Sequence, residues 1–305
     1  MRADLLLPAI AFLFGLLIGS FLNVCIARLP LDESVATPRS RCPACGHTIR
    51  WYDNIPLLSY ALLRGHCRDC GAPISWRYPA VELVTGIWFA LSALVVAHGI
   101  DLSGDIFARL IVHAVGIAMV GSLLIALMVI DWKHHLLPNT LTIPGILLGL
   151  IFACAEAVFL GDNEGNVILQ HAPDINSANA GRSPGNIFLT GAEHLIFGRL
   201  LAAIGAFLLL FLIRVAYRAI RKRDGMGLGD AKLLAMIAAF VGLAPTVLSL
   251  FLGLMLATFY ATVMLLRRQA DAATRLPFGS FLCMGGLLAA LYGERITDAY
   301  LALFR

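Results

Sequence analysis

Long apolar runs alternate with short polar and basic segments along almost the whole chain. Most runs approach the ~20 residues that a helix needs to cross a bilayer, and the sixth run is shorter. The pattern predicts an all-α polytopic membrane protein with about eight transmembrane helices, because a helix satisfies its own backbone in lipid. The runs cover residues 5–24, 80–98, 110–130, 137–160, 196–217, 231–244, 246–266 and 276–292. The sixth ends at Pro245 and is expected to be tilted, broken or partly sunk in a cavity.

The composition supports membrane integration. Of the 305 residues, 59% are hydrophobic and 14% are charged, and the mean hydropathy is +0.83. Soluble domains are about a quarter charged. The first run follows Arg2 and could be read as a signal peptide, but no small-x-small cleavage site follows it. Residues 1–25 are therefore interpreted as a retained transmembrane helix.

Residues 26–79 interrupt the apolar pattern and are rich in arginine. Cytoplasmic loops carry an excess of Lys and Arg, so this segment is predicted to be a small cytoplasmic domain inserted after the first helix. The later loops agree with that orientation, because residues 99–108 contain no Lys or Arg. Residues 80–305 then form a membrane domain with a flexible external loop at 161–195. No internal repeat is evident.

Four of the seven cysteines form two CxxC pairs, with 21 residues between the pairs. Two such knuckles present four thiolates to a tetrahedral Zn²⁺, which predicts a structural zinc site. The ligands are Cys42, Cys45, Cys67 and Cys70. Gly46 and Gly71 follow the pairs and suit the tight turns that such knuckles need.

Other interpretations of these cysteines remain open at this point. They could form two disulfides or stay unligated, although a reducing cytoplasm disfavours disulfides. His47 and His66 lie beside the knuckles and could replace a ligand. The other three cysteines lie alone in apolar stretches and are interpreted as small core residues.

Asp131 and Asp230 each lie where an apolar run meets a polar, basic segment. An ionisable residue at the edge of a span is a candidate functional site, and the predicted topology puts both on the cytoplasmic side. Two facing carboxylates could share one proton, as an aspartic protease requires. A lone Asp at a helix end is more often a solvated cap. Asp230, however, follows Gly227 and Gly229, which allow another backbone to approach closely.

Two further carboxylates lie near span ends. Glu82 is interpreted as a helix-start carboxylate, because negative charge is favoured at a helix N-terminus. Glu156 is assigned no role.

Several of these motifs together resemble the bacterial type IV prepilin peptidases, also called leader peptidase/N-methyltransferases. The resemblance spans most of residues 15–290. It rests on residues 19–24, 28–30, the two knuckles, 51–60, 77–79, 81–83, the segments around Asp131 and Asp230, and 277–279. The loop at 161–195 is longer than expected for the family. Ser280 stands where a second Pro is common, with a minor effect expected.

The resemblance implies a multi-pass aspartic endopeptidase of the GxGD type in the bacterial inner membrane, with Asp131 and Asp230 as its catalytic pair. The implied substrates are prepilins and pseudopilins, cut after a Gly on the cytoplasmic side. The new N-terminal residue would then be methylated from S-adenosylmethionine, with Asn54 as a candidate pocket residue. Membrane lipid is the other expected partner, and no nucleic acid is expected.

Two alternatives remain beside this hypothesis. The chain could be a peptidase without methyltransferase activity. It could also be a non-enzymatic, zinc-containing transporter or assembly factor, whose carboxylates relay a cation or a proton.

Overall fold

The computed structural model describes residues 3–97, 104–160, 191–222, 227–267 and 276–303. In these ranges the fold is all-α, as predicted, and it contains no β-strand. Within the described ranges, two short 3₁₀ helices and nine α-helices follow one another. They are α1 (Ala3–Arg28), Leu29–Leu31, Trp51–Asn54, α2 (Leu58–Leu62), α3 (Arg77–Ala97), α4 (Gly104–His134), α5 (Asn139–Leu160), α6 (Gly191–Arg221), α7 (Leu228–Val241), α8 (Leu243–Leu266) and α9 (Phe278–Ala302).

Helices α1 and α3–α9 correspond to the eight predicted apolar runs, but not all of them are long enough to be membrane spans. Among the described residues, five helices have the length and hydropathy needed to cross a bilayer, so the protein is a multi-pass membrane protein. The predicted count of eight spans is not confirmed. The five segments are Leu6–Leu31, Ile111–His134, Asn139–Ala157, Leu195–Arg221 and Leu243–Leu266.

Helices α1 and α3 pack closely against each other through small residues. A Cβ at Gly19 would lie 2.7 Å from the Cα of Glu82, so only glycine permits this approach. At the same end of the bundle, Leu22 and Ile26 of α1 share one apolar cluster with Ile130 of α4. The polar segment between α1 and α3 therefore lies on the side of the membrane bundle where α4 ends.

Helix α7 occupies the centre of the membrane bundle. It is buried from Asp230 onward along most of its length, and α4, α5, α6, α8 and α9 all contact it. Its 14 residues span about 21 Å, which is less than the ~30 Å hydrocarbon core of a bilayer. At least one end of α7 must therefore lie at membrane depth.

Helix α7 ends at Val241, and Gly242 adopts a left-handed φ of 80° that begins α8. The expectation that Pro245 ends this helix is wrong. Pro245 instead lies in the first turn of α8, where the missing amide hydrogen of proline has no intrahelical partner to lose.

A buried arginine of α6 covers the C-terminal end of α7. The guanidinium of Arg199 donates to the carbonyl of Phe240, and its Nη2 lies 3.5 Å from Oε2 of Glu156. The other carboxylate oxygen of Glu156 is 2.9 Å from Nδ1 of His113. Glu156, which sequence analysis left without a role, thus provides the counter-charge for the residue that satisfies this helix end.

The predicted external loop at 161–195 falls mostly outside the described residues, which resume at Gly191. Because α6 begins at Gly191, residues 191–195 are helical and do not belong to a loop.

We expect Arg199→Met to destabilise the bundle by about 3–5 kcal/mol, because it leaves the Glu156 carboxylate buried beside an unsatisfied carbonyl. Thermal and denaturant melting of the purified protein in detergent would measure the loss. Arg221→Met, at the exposed end of the same helix, is the matched control and should change little. Equal melting of the two variants would contradict this role for Arg199.

Candidate active site and metal centre

The two predicted aspartates lie at adjoining helix ends inside the bundle. Asp131 is in the last turn of α4 and is 5% exposed, and Asp230 is in the first turn of α7 and is 8% exposed. Their carboxylates are close enough for their charges to interact. The structure therefore brings the two predicted residues to the same end of neighbouring helices, where two buried carboxylates can influence each other's ionisation.

A serine of α9 holds Asp131 in place. The backbone N–H of Ser280 donates to Oδ2 of Asp131 at 2.7 Å, and the Ser280 hydroxyl lies 2.9 Å from the same oxygen. The hydroxyl also lies 3.0 Å from the Met128 carbonyl. The single hydroxyl hydrogen can be directed to either acceptor, so the backbone N–H is the constant donor that orients the carboxylate and stabilises negative charge on it. The expectation that Ser280 has a minor effect missed these contacts.

Leu137 joins the two glycine-containing segments of the site. A Cβ on Gly229 would lie 2.9 Å from Cβ of Leu137, and one on Gly279 would lie 3.0 Å from both Leu137 and Oδ2 of Asp131. A side chain at either position would therefore crowd Leu137, and glycine lets α7 and α9 approach the segment that follows α4. Of the two glycines before Asp230, Gly229 serves this purpose, whereas a Cβ on Gly227 would meet only the Asp230 carboxylate and the Gly229 amide within 4 Å.

Lys232 fastens the same end of α7 to α5. Its Nζ donates to Oδ1 of Asn139 at 2.7 Å. This contact fits an anchoring role for the lysine.

The two cysteine knuckles have the same local structure. In the first, Gly46 N–H donates to the Cys42 carbonyl at 2.9 Å, and in the second, Gly71 N–H donates to the Cys67 carbonyl at 2.9 Å. Both glycines have the left-handed φ expected of them, 73° and 68°. The hydrogen bond from Ile49 N–H to Ser40 is likewise repeated by that from Ile74 to Gly65. The knuckles are thus an internal repeat that sequence analysis missed, although Ile49 and Trp51 recur as Ile74 and Trp76 at the same offset as the cysteines and glycines.

The four cysteine sulfurs lie within 4.8 Å of one another, and those of Cys42 and Cys70 are 3.8 Å apart. A tetrahedral Zn²⁺ with Zn–S bonds of about 2.3 Å would separate its sulfurs by about 3.8 Å. The backbone amides of Cys45 and Ala44 point at the Cys42 sulfur and lower the pKa of this thiol to about 6. The spacing of the four sulfurs is what fits a tetrahedral metal site.

Neither of the histidines next to the knuckles belongs to this group, which among the described residues contains cysteines alone. Nδ1 of His66 lies 2.7 Å from the carbonyl of Arg64. All seven cysteines are free of disulfides in the structure, so the disulfide interpretation of the pairs is not supported.

An ion pair joins the segment between the knuckles to the second knuckle. Asp53 accepts from Nε of Arg68 at 3.0 Å and from its Nη2 at 2.6 Å, and the guanidinium also stacks over the ring of Tyr52. A fork-like Arg–carboxylate contact fixes direction as well as distance.

Two hydrogen bonds fix the segment that carries the knuckles, here called the module, and the start of α3 against the membrane helices. The Asn23 side chain donates to the Tyr78 carbonyl at 3.0 Å, and the Leu57 N–H donates to Oε2 of Glu82 at 2.9 Å. The helix-start interpretation of Glu82 is wrong, because α3 begins five positions earlier at Arg77. A cavity of about 440 Å³ lies between the module and these helices, and Asn54 lines it together with Asn23 and Glu82.

Comparison with known proteins covers almost the whole chain. The bacterial peptidase A24 N-terminal domain matches residues 13–96, and the type IV leader peptidase family matches residues 117–171 and 185–262. No solved structure matches the chain.

Several relatives carry the name prepilin leader peptidase/N-methyltransferase, and three of them are described here. The protein from Aeromonas hydrophila is 33% identical over 97% of this chain and 94% of its own length. The one from Pseudomonas aeruginosa is 32% identical over 95% of this chain and 91% of its own length. The one from Myxococcus xanthus is 48% identical over 47% of this chain and 39% of its own length. With two relatives aligned almost end to end at this identity, the chain belongs to the type IV leader peptidase family.

Proposed function

We propose that this protein is an aspartic endopeptidase that removes the leader from type IV prepilins and pseudopilins and then methylates the new N-terminal residue. Cleavage occurs after a Gly, and S-adenosylmethionine is the methyl donor. The observation that carries the peptidase assignment is the pair of buried, mutually interacting carboxylates of Asp131 and Asp230 at adjoining helix ends. Membership in the family and the names of the relatives support both activities.

In the proposed reaction, one carboxylate activates a water molecule and the other donates a proton to the scissile peptide. Asp131 is the ionised partner, because the backbone N–H of Ser280 donates to its Oδ2 and the Ser280 hydroxyl can do the same. Asp230 then carries the shared proton. The substrate peptide must be extended at the site, and unpaired backbone at membrane depth is tolerated only in a cavity lined by protein or water.

We place the protein in the bacterial inner membrane, with the aspartates and the module facing the cytoplasm. Basic residues at the same end of the bundle support this orientation, among them Lys133 in the last turn of α4, Lys222 after α6 and Arg267 after α8. We divide the chain into the first membrane helix, 1–25, the cytoplasmic module, 26–79, and the membrane peptidase domain, 80–305.

We further propose that the cysteine tetrad binds one structural Zn²⁺. Four protein thiolates leave no open coordination position, so the metal holds the two knuckles together and takes no part in cleavage. The sulfur spacing supports this assignment.

Asp131→Asn and Asp230→Asn should each lower the rate of cleavage by at least about 100-fold, because the pair then loses either its base or its acid. The assay mixes detergent-purified protein with a prepilin, with and without S-adenosylmethionine, and weighs the product by mass spectrometry. The wild type should remove the leader and add one methyl group only when S-adenosylmethionine is present.

The outcomes of this assay separate the proposal from its alternatives. A product that has lost the leader but gained no methyl group would indicate a peptidase without methyltransferase activity. Absence of cleavage with several prepilins would favour a transporter or assembly factor. Full cleavage by either Asn variant would show that the two carboxylates do not act as a pair.

Ser280→Ala should lower kcat for cleavage about ten-fold, because Asp131 loses one of its two hydrogen-bond donors while the backbone N–H remains. Substrate KM should change little, since Ser280 acts through Asp131. Ser122→Ala, which removes a buried hydroxyl that bonds only within α4, is the matched control. An equal kcat in Ser280→Ala and Ser122→Ala would contradict this role for Ser280.

Cys67→Ser should reduce bound zinc, measured by atomic emission, from about one ion per chain to well below half, because a hydroxyl is a poor substitute for a thiolate ligand. The module should unfold more readily, and cleavage should fall only indirectly. Cys154→Ser removes a cysteine outside the tetrad and should keep its zinc. Zinc retained at full stoichiometry in Cys67→Ser would rule out the tetrad as the site.

A further inference from the structure

The short helix α2 of the module carries apolar side chains on a face that the described part of the protein leaves uncovered. Leu58 and Leu62 lie one helical turn apart and are 52% and 72% exposed. Ile55, just before the helix, is exposed as well. Ser59 and Tyr60 belong to the other face and line the cavity under the module. Helix α2 is therefore amphipathic, with one face turned into the protein and an apolar face turned outward.

The start of α2 is attached to a membrane helix. The N–H of Leu57 donates to Oε2 of Glu82 at 2.9 Å, and Glu82 lies in the second turn of α3. Glu82 is itself buried against the neighbouring helices. Helix α2 thus begins at the level of the second turn of α3, below the first residues of that helix.

That level lies inside the membrane. Val81, the neighbour of Glu82, packs in one apolar cluster with Ile26 of α1 and Ile130 of α4. Both partners belong to segments with the length and hydropathy of membrane spans, which end at Leu31 and His134. Ile130 lies four positions before the end of its segment, which is about 6 Å along the helix axis. Interfacial helices lie at a similar depth of about 5–10 Å, at the boundary between headgroups and acyl chains.

The outer face of α2 continues an apolar surface of α3. Leu83, Val84 and Ile87 follow Glu82 along α3, and all three are exposed in the described structure. On a helix of a membrane bundle, such a face is in contact with acyl chains. A leaflet that covers this surface of α3 extends to α2, which is fixed beside it by the bond between Leu57 and Glu82.

Basic and aromatic residues typical of a membrane interface flank this surface. Arg64 follows α2 and Arg77 begins α3, and both are exposed. Neither arginine forms an ion pair with any residue that the structure describes. Trp76, directly before α3, is also exposed. Tryptophan is enriched at membrane–water interfaces, and arginines near the membrane surface are attracted to anionic lipid headgroups.

We propose that the outer face of α2, formed by Ile55, Leu58 and Leu62, inserts into the lipid leaflet on the module's side of the membrane. The partner is lipid itself, and Arg64 and Arg77 bind the phosphates of anionic headgroups. The module is thereby held to the membrane by α2 as well as by its connections to α1 and α3. This inference concerns how the module is seated and does not depend on the peptidase or methyltransferase activity.

The test places a fluorescent amino acid at position 62 of the full-length protein in lipid nanodiscs. Lipids with brominated acyl chains quench probes that lie in the acyl region, and iodide quenches probes that face water. The probe at Leu62 should be quenched by brominated lipid about as strongly as one at Ile87 of α3, and should be shielded from iodide. The same probe at Asp69, an exposed residue of the second knuckle, is the control and should show the reverse pattern.

Three results would overturn the proposal. Quenching at position 62 by iodide and not by brominated lipid would show that the outer face of α2 meets water. Protection from both quenchers would show that protein covers this face. Saturating prepilin should leave the quenching by brominated lipid unchanged, and loss of that quenching would identify the face as a substrate-binding surface instead.

A charge substitution tests whether the apolar face keeps α2 in the leaflet. Leu62→Asp, with the probe moved to Leu58, should make the probe accessible to iodide, because a carboxylate among acyl chains is strongly disfavoured. Leu62→Phe is the matched control and should keep the Leu58 probe in lipid. Equal iodide quenching in the two variants would contradict the proposal. Far-ultraviolet circular dichroism checks the fold of both variants, and the probe at position 62 decides the question if Leu62→Asp does not fold.

Discussion

A helix too short for the bilayer and buried on all sides constrains the rest of this membrane bundle. Each end of such a helix exposes backbone groups that lipid cannot satisfy, so neighbouring helices must supply partners. At the C-terminal end of α7, the partner is Arg199 with Glu156 behind it. At the N-terminal end, the partial positive charge of the helix meets Asp230. Because α7 is short, its first turn lies inside the protein, and this places the Asp230 carboxylate near Asp131.

The module is attached to the membrane helices by specific contacts as well as by the chain. The Asn23 side chain donates to the carbonyl of Tyr78 at the start of α3, and the Glu82 carboxylate accepts from the N–H of Leu57. Leu57 has an unfavourable φ of 59°. A leucine adopts that conformation only where its surroundings impose it. The orientation of the knuckles over the bundle is therefore set by α1 and α3.

Much of this architecture was predictable because it depends on local sequence. Apolar run length indicates helices, so the eight runs reappear as helices, and two glycines after CxxC pairs adopt the turns expected of them. The alternation of basic and non-basic loops predicted that Asp131 and Asp230 lie at the same end of the bundle. Features that depend on which helices touch were not predictable from such patterns. Ser280 lies 149 positions from Asp131, and Arg199 lies 43 positions from Glu156. The error at Pro245 arose because proline ends a helix when it is internal but fits the first turn of the next one.

The walls of the cavity come from three parts of the chain that only the folded protein brings together. The knuckles supply one side, and α1 and α3, which lie before and after them in sequence, supply the other. An isolated fragment of residues 26–79 would keep all four cysteines of the tetrad but would lose the cavity wall that α1 and α3 supply. Helix α1, the module and helix α3 therefore form one structural unit. A chimera that exchanges the module between relatives should carry both flanking helices with it.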